Sequence, residues 1–377
     1  MKYYSTNGKA PIADLHKAVV KGLAEDRGLY MPERINQLPK AFFDDIDKMS
    51  FQEIAYTVAN AFFGEDVDPD ALKVIVYDTL SFDCPVVNIK DNIYTLELFH
   101  GPTLAFKDVG ARFMARLLQY FIRQEGKGQQ VNVLVATSGD TGSAVANGFL
   151  GVDGIHVYVL YPKGKVSPIQ ECQFTTLGKN ITAIEVDGVF DDCQALVKNA
   201  FMDAELNQHM KLTSANSINV ARFLPQAFYY FNAYARMKEI VNRKSSNSQS
   251  LVMCVPSGNF GNICAALFGH AMGLPVKRFI AANNANDIFF KYLQTGKYEP
   301  KPSKQTLANA MDVGDPSYFA RIYDLYGKSH ERITSLISGA TYSDDQIRET
   351  MRQCYQDTKY ILDPHGACGY QALVDGL

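Results

Sequence analysis

Val131-Asn-Val-Leu-Val-Ala136 runs straight into Thr137-Ser-Gly-Asp-Thr-Gly-Ser143 and then Ala144-Val-Ala-Asn-Gly-Phe149. The first segment is a short, nearly unbroken apolar run, which reads as a strand buried on both faces. The second is a Gly/Ser/Thr cluster, hence a loop, and the third reads as a helix over residues 144–149. The same order recurs along the chain. Residues 156–161 read as a strand and 168–177 as a helix, followed by a strand over 181–186 and a helix over 191–210. After Lys211-Leu-Thr-Ser214 comes a long helical pattern over 220–240. A strand over 251–255, a loop over 257–262 and a helix over 263–272 follow, and strands resume at 278–282. Strands alternating with helices predict an α/β architecture with mostly parallel sheets.

Upstream of this pattern lies Phe99-His-Gly-Pro-Thr-Leu-Ala-Phe-Lys107-Asp108. The apolar run 93–99 reads as a strand that His100, Gly101 and Pro102 break. From Asp108 a helix is predicted, with Val109, Phe113, Leu117 and Phe121 at four-residue spacing. Lys107 therefore sits at a loop-to-helix junction, on the apolar segment Leu104-Ala105-Phe106. An amine held against apolar surface loses its proton more easily and becomes available to attack a carbonyl. The alternative is a solvated lysine at a helix start.

Residues 1–90 read as a separate α+β unit. Leu15, Ala18, Val19 and Leu23 form a short helical stripe, Gly28-Leu-Tyr-Met-Pro32 a closing turn, and residues 51–63 a second amphipathic helix stopped by Gly64. Pro85 starts an extended stretch. The polar segment Lys244-Ser-Ser-Asn-Ser-Gln-Ser250 reads as an internal linker. These signals divide the 377 residues into 1–90, 91–240 and 241–377. A net charge of −3 gives no electrostatic case for nucleic acid or an anionic membrane. The seven cysteines are scattered without C-x-x-C spacing, and no apolar stretch is long enough to span a membrane or act as a signal. Both features point to a cytoplasmic protein with reduced thiols and no metal cluster. No obvious interface helix stands out, which favours a monomer.

Three segments could bind an anion. Ser257-Gly-Asn-Phe-Gly-Asn262 follows a strand and precedes a helix, so its amides and the helix dipole suit a phosphate, unless it is only a tight turn capped by Asn. It is neither G-x-G-x-x-G nor a Walker loop. Thr137 to Ser143 offers hydroxyls and amides for a carboxylate or phosphate, or else a plain N-cap made by Asp140 or Thr141. Asn216-Ser-Ile-Asn-Val-Ala-Arg222 brings a guanidinium to a helix start, for phosphate or for solvent. A reactive lysine with several anion loops suggests a phosphorylated aldehyde cofactor held as a Schiff base.

On these residues the chain resembles the threonine synthase family, fold type II pyridoxal-phosphate enzymes, in the subgroup with a dedicated N-terminal domain. The resemblance also takes in Lys2-Tyr-Tyr-Ser-Thr6, Ser167-Pro-Ile-Gln-Glu171, Met311-Asp-Val-Gly-Asp-Pro316 and Asp363-Pro-His-Gly-Ala367. It implies two open, mostly parallel-sheet domains and a small α+β N-terminal domain. It implies pyridoxal 5'-phosphate bound to Lys107, its phosphate cradled by Gly258, Asn259, Phe260, Gly261 and Asn262. Ser138, Gly139, Asp140 and Thr141 match the loop facing the cofactor ring and substrate carboxylate, and Ser217, Asn219 and Arg222 match residues that hold the substrate phosphate. The implied reaction turns O-phospho-L-homoserine and water into L-threonine and phosphate. A phospho-lyase giving 2-oxobutyrate, a serine/threonine dehydratase and a cofactor-less binding homologue are the rivals.

Two features depart from the family pattern. Asp140 stands where many fold type II enzymes carry Asn, so its carboxylate must be protonated, accept a proton or turn away. The family's later segment resembling Thr-Ala-His-Pro, which supplies a threonine near the pyridine nitrogen, does not follow Asp363-Pro-His-Gly-Ala367 before Leu377. A truncated chain is expected on that ground, with exposed apolar surface near its end. His100 and His365 are expected to be structural hydrogen-bonding residues beside the motifs.

Overall fold

The computed structural model describes residues 1–126, 128–244 and 250–376; most of the expected linker after Lys244 lies outside them. Contacts divide the chain into two units. The first takes residues 1–36, 50–84 and 98–229; the second takes 37–49, 85–97 and 230 onward. Residues 1–90 are thus shared between them. Residues 37–49 join the second unit because Phe43 stacks on Phe231 at 6.1 Å between ring centres and Lys238 donates to the Phe43 carbonyl at 3.0 Å.

In the first unit, strand Lys2–Ser5 lies between Ala13–Asp14 and Tyr30–Pro32, antiparallel to both. The segment expected as a turn at 28–32 is therefore largely strand, because Tyr30 and Met31 are buried beside Tyr3 in that small sheet. Helix Leu15–Lys21 ends at Gly22, which leaves Leu23 outside it and exposed. Helix Phe51–Phe63 matches its sequence pattern. Ser50 and Glu53 close a capping box, typically worth about 1 kcal/mol, and seven of its thirteen residues are buried.

A four-stranded parallel sheet carries the rest of this unit, in the order Ile181–Val186, Ile155–Pro162, Val131–Ala136, Lys211–Ser214. The last strand is short and polar, which is why the sequence pattern missed it. Two expected helices break. The run 191–210 splits into Phe190–Met202 and Ala204–His209, since Asp203 caps the second by accepting from the Leu206 amide at 2.9 Å. The run 220–240 becomes Val220–Phe223, a 3-10 turn Leu224–Gln226 and helix Ala227–Arg243, with Pro225 removing the amide a continuous helix would use.

The second unit holds a three-stranded parallel sheet, Val252–Pro256, Arg278–Asn283, Ile337–Thr341 in that order. Helix Pro364–Val374 packs on its first two strands, burying Ala367, Cys368 and Tyr370 with Ile280 and Ala282. A hairpin of Val86–Lys90 and Ile93–Leu96 places Ile89 and Ile93 against the same core. Near the end of the chain Ile361 and Val374 stand exposed. Among the described residues no helix is long and apolar enough to cross a membrane.

Candidate active site

Helix Lys107–Glu125 begins at the lysine itself. The loop before it is closed by Asp108, whose buried carboxylate accepts from the Thr103 amide at 2.9 Å and the Thr103 hydroxyl at 2.7 Å. Burial pushes this carboxyl above the usual aspartate range, although those bonds oppose it. In the closed loop Leu104 adopts φ +61° and stays exposed, a conformation costly for a branched side chain.

Lys107 Nζ donates to Thr141 Oγ1 at 3.3 Å and lies 3.9 Å from Asp140 Oδ2. Burial lowers the lysine's affinity for its proton, the Asp140 charge opposes this, and the Arg222 charge reinforces it. The net direction is down, so neutral amine is available at a lower pH than for a solvated lysine. That is the state a carbonyl-attacking amine needs.

Thr141 and Asp140 reach Lys107 because strand Val131–Ala136 ends in a tight loop at the start of helix Asp140–Phe149. Neither of them caps that helix, contrary to the simpler sequence expectation. Thr137 organises the loop instead: its buried hydroxyl accepts from the amides of Gly139 at 2.9 Å and Gly142 at 2.8 Å. Gly139 sits at the cap with φ +150°, a geometry suited to glycine. Ser138 is exposed at the loop tip. Asp140 Oδ1 accepts from Gln170 Nε2. Thr137, Asp108 and Gln170 escaped the sequence reading because their partners are backbone amides or distant in the chain.

Arg222 is buried rather than a surface arginine, and its Nη1 donates to the Ala215 carbonyl at 2.5 Å. Asn219 is committed at both ends, accepting from the Ala221 amide at 3.0 Å and donating to the Val19 carbonyl at 2.8 Å. It caps helix Val220–Phe223 and so fixes where Arg222 begins. Ser217 is half-buried in the same turn.

In the second unit, strand Val252–Pro256 leads through residues 257–260 into helix Gly261–Ala271. Ser257 donates its amide to Ala282 at 3.0 Å, but the next five amides, residues 258–262, have no protein acceptor among the described residues. Phe260 turns the chain at φ +73° with its ring buried against Phe289. Asn262 folds back, accepting from Ser257 Oγ at 3.0 Å and donating to the Pro256 carbonyl at 2.8 Å. Asn259 Oδ1 accepts from both the amide and hydroxyl of Ser317, at 2.8 and 2.9 Å. A run of unspent N–H groups at the start of an eleven-residue helix fits a phosphate.

His365 is held between two partners: Nδ1 donates to Asp363 at 2.7 Å and Nε2 accepts from the Ala310 amide at 3.1 Å.

The family model for pyridoxal-phosphate dependent enzymes matches residues 82–376, and that for the threonine synthase N terminus matches residues 2–80. A threonine synthase of Haemophilus influenzae is 42% identical over 377 residues, covering 100% of this chain and 85% of that protein. The chain belongs to the threonine synthase family of pyridoxal-phosphate-dependent enzymes. The crystal structure of the threonine synthase from Escherichia coli superposes with a TM-score of 0.87 at 41% identity, covering 100% of this chain and 85% of that one. A threonine synthase from Brucella melitensis solved with pyridoxal phosphate bound reaches a TM-score of 0.93 at 34% identity, over 100% of this chain and 86% of that one. The fold type II architecture expected from sequence is therefore that of the family.

Proposed function

We propose that this chain converts O-phospho-L-homoserine and water to L-threonine and phosphate, using pyridoxal 5'-phosphate attached at Lys107. The observation that carries the reading is the Lys107 amine itself, shifted toward its neutral form by burial and held by Thr141 and Asp140. Bound at that amine, pyridoxal phosphate supplies an electron sink for the bonds broken at the substrate's α-carbon. The free amides of Gly258, Asn259, Phe260, Gly261 and Asn262 are suited to take the cofactor phosphate.

When not holding the cofactor, Lys107 Nζ would be the base for the Cα proton and the carrier of later protons at Cβ and Cγ. Thr141 Oγ1 and Asp140 Oδ2 hold that nitrogen in place while it works. Ser138 and Thr141 present hydroxyl donors to the substrate carboxylate, and Gly139, its amide held by Thr137 Oγ1, shapes the loop that delivers them. Arg222, whose charge already reaches Lys107, and Ser217 hold the γ-phosphate as it leaves. Asn219 acts by fixing the turn that delivers both. All seven cysteines are free thiols, which supports a reducing, cytoplasmic setting.

The test is substrate discrimination by Arg222→Ala. Catalytic efficiency on O-phospho-L-homoserine should fall by about 100-fold or more, because a charge-assisted phosphate contact is lost. A dehydratase acting on unphosphorylated serine or threonine has no phosphate for Arg222 to hold. Equal activity of wild type and variant on those amino acids, with none on the phosphorylated substrate, would overturn the reading.

A further inference from the structure

The segment Ser167-Pro-Ile-Gln-Glu171 has no part in the roles assigned so far, yet it touches the lysine centre through one side chain. Helix Pro168–Thr175 starts at Ser167, whose hydroxyl accepts from the Gln170 amide at 3.4 Å. The Gln170 backbone carbonyl accepts from Ser143 Oγ at 3.2 Å, which ties this helix to helix Asp140–Phe149. The Gln170 side chain then lies over Gly139, where a Cβ would collide with its Oε1. Its amide has one orientation: Oε1 accepts from Ser167 Oγ at 3.1 Å and Nε2 donates to Asp140 Oδ1. With Oδ1 taken, Oδ2 is the Asp140 oxygen that faces Lys107 Nζ.

We infer that Gln170 is a positioning residue that holds Asp140 as a hydrogen-bond acceptor and aims its second oxygen at Lys107. The inference rests on the proposed role of Lys107. It also gives a reason for glycine at position 139, since any side chain there would push the Gln170 amide off Asp140.

The charged groups around this pair are few. Arg222 bears on Lys107 from the turn after Asn219. Asp108 is the next residue on the lysine helix, but its carboxylate is turned onto Thr103. Glu171, next to Gln170, interacts with Tyr161 instead.

The experiment is a pH titration of the holoenzyme's visible absorbance, for wild type, Gln170→Met and Gln170→Glu. Borohydride fixation and peptide mass spectrometry locate the cofactor in each. Methionine keeps the side chain's length and removes the donor, so Asp140 is released and its charge bears less on the lysine nitrogen. The midpoint of protonation should then fall by about one pH unit. Glutamate keeps the shape and adds negative charge, so the midpoint should rise by a similar amount. A packing role would not move the two variants in opposite directions. If cofactor is fixed on Lys107 in all three proteins and the midpoints coincide or move together, the inference is overturned. If one variant does not fold, the direction of the other decides alone. If wild type carries no cofactor on Lys107, the proposed function itself fails, and the inference with it.

Discussion

The loop at residues 137–143, which faces Lys107, and the loop at residues 257–262 both follow a parallel strand and lead into a helix, yet the two centres are made of different material. Around Lys107 the working contacts are side chain to side chain: Thr141, Asp140, Gln170, and Thr103 on Asp108. Burial lowers the amine's affinity for its proton there, with the Asp140 charge opposing and the Arg222 charge adding to it. Around Gly258 the side chains turn back on the protein, and no ionised side chain is in the loop. Asn262 and Asn259 are spent on Ser257, Pro256 and Ser317, and what the loop presents outward is backbone N–H. On the proposed reading, one region would change protonation and the other would hold an anion through backbone N–H groups.

That contrast can be broken by substitution. Lys107→Ala should reduce turnover by about a thousandfold or more and abolish borohydride-stable cofactor attachment. Turnover close to wild type would remove the lysine centre from the chemistry. Gly258→Ala should act on the other region through shape. Its Cβ would lie 2.5 Å from Met311 Cα, so backbone must shift. We expect cofactor affinity to fall by about tenfold or more, with a loss of roughly 1–3 kcal/mol in stability measured by thermal or denaturant unfolding. Unchanged affinity would show that these amides do not hold the phosphate.

Charge substitutions sharpen the comparison, since only the lysine centre should respond to pH. The neutral amine is the reactive form, so activity on the acid side rises as Lys107 loses its proton. Asp140 raises the lysine's pKa and Arg222 lowers it. Asp140→Asn should therefore move the acid limb of kcat/KM to lower pH, and Arg222→Gln should move it to higher pH, each by about one unit. Shifts in the same direction would contradict the electrostatic assignment. The smallest effect is expected for Ser317→Ala, which removes one of two donors to Asn259 and leaves the backbone donor. Cofactor affinity should weaken by about threefold to tenfold with no change in the pH profile.

Much of this organisation was legible in the sequence because it is local. The strand Val131–Ala136, the helix Phe51–Phe63 with its Ser50 cap, and both strand–loop–helix junctions follow from periodicity and turn chemistry. What was not legible depends on partners far along the chain. Gln170 reaches Asp140 across 30 residues, Asn219 reaches Val19 across 200, and Phe43 finds Phe231. The break at Pro225 was marked by its residue type, but apolar periodicity on both sides suggested one continuous helix. The anion loops showed their composition, whereas the choice of Thr137 over Asp140 or Thr141 as organiser depended on which amides turn inward.

The most direct test of the central claim is product analysis after mixing the protein, pyridoxal phosphate and O-phospho-L-homoserine. The account predicts L-threonine and phosphate in equal amounts. Phosphate accompanied by 2-oxobutyrate and ammonia, or no release of phosphate, would contradict it.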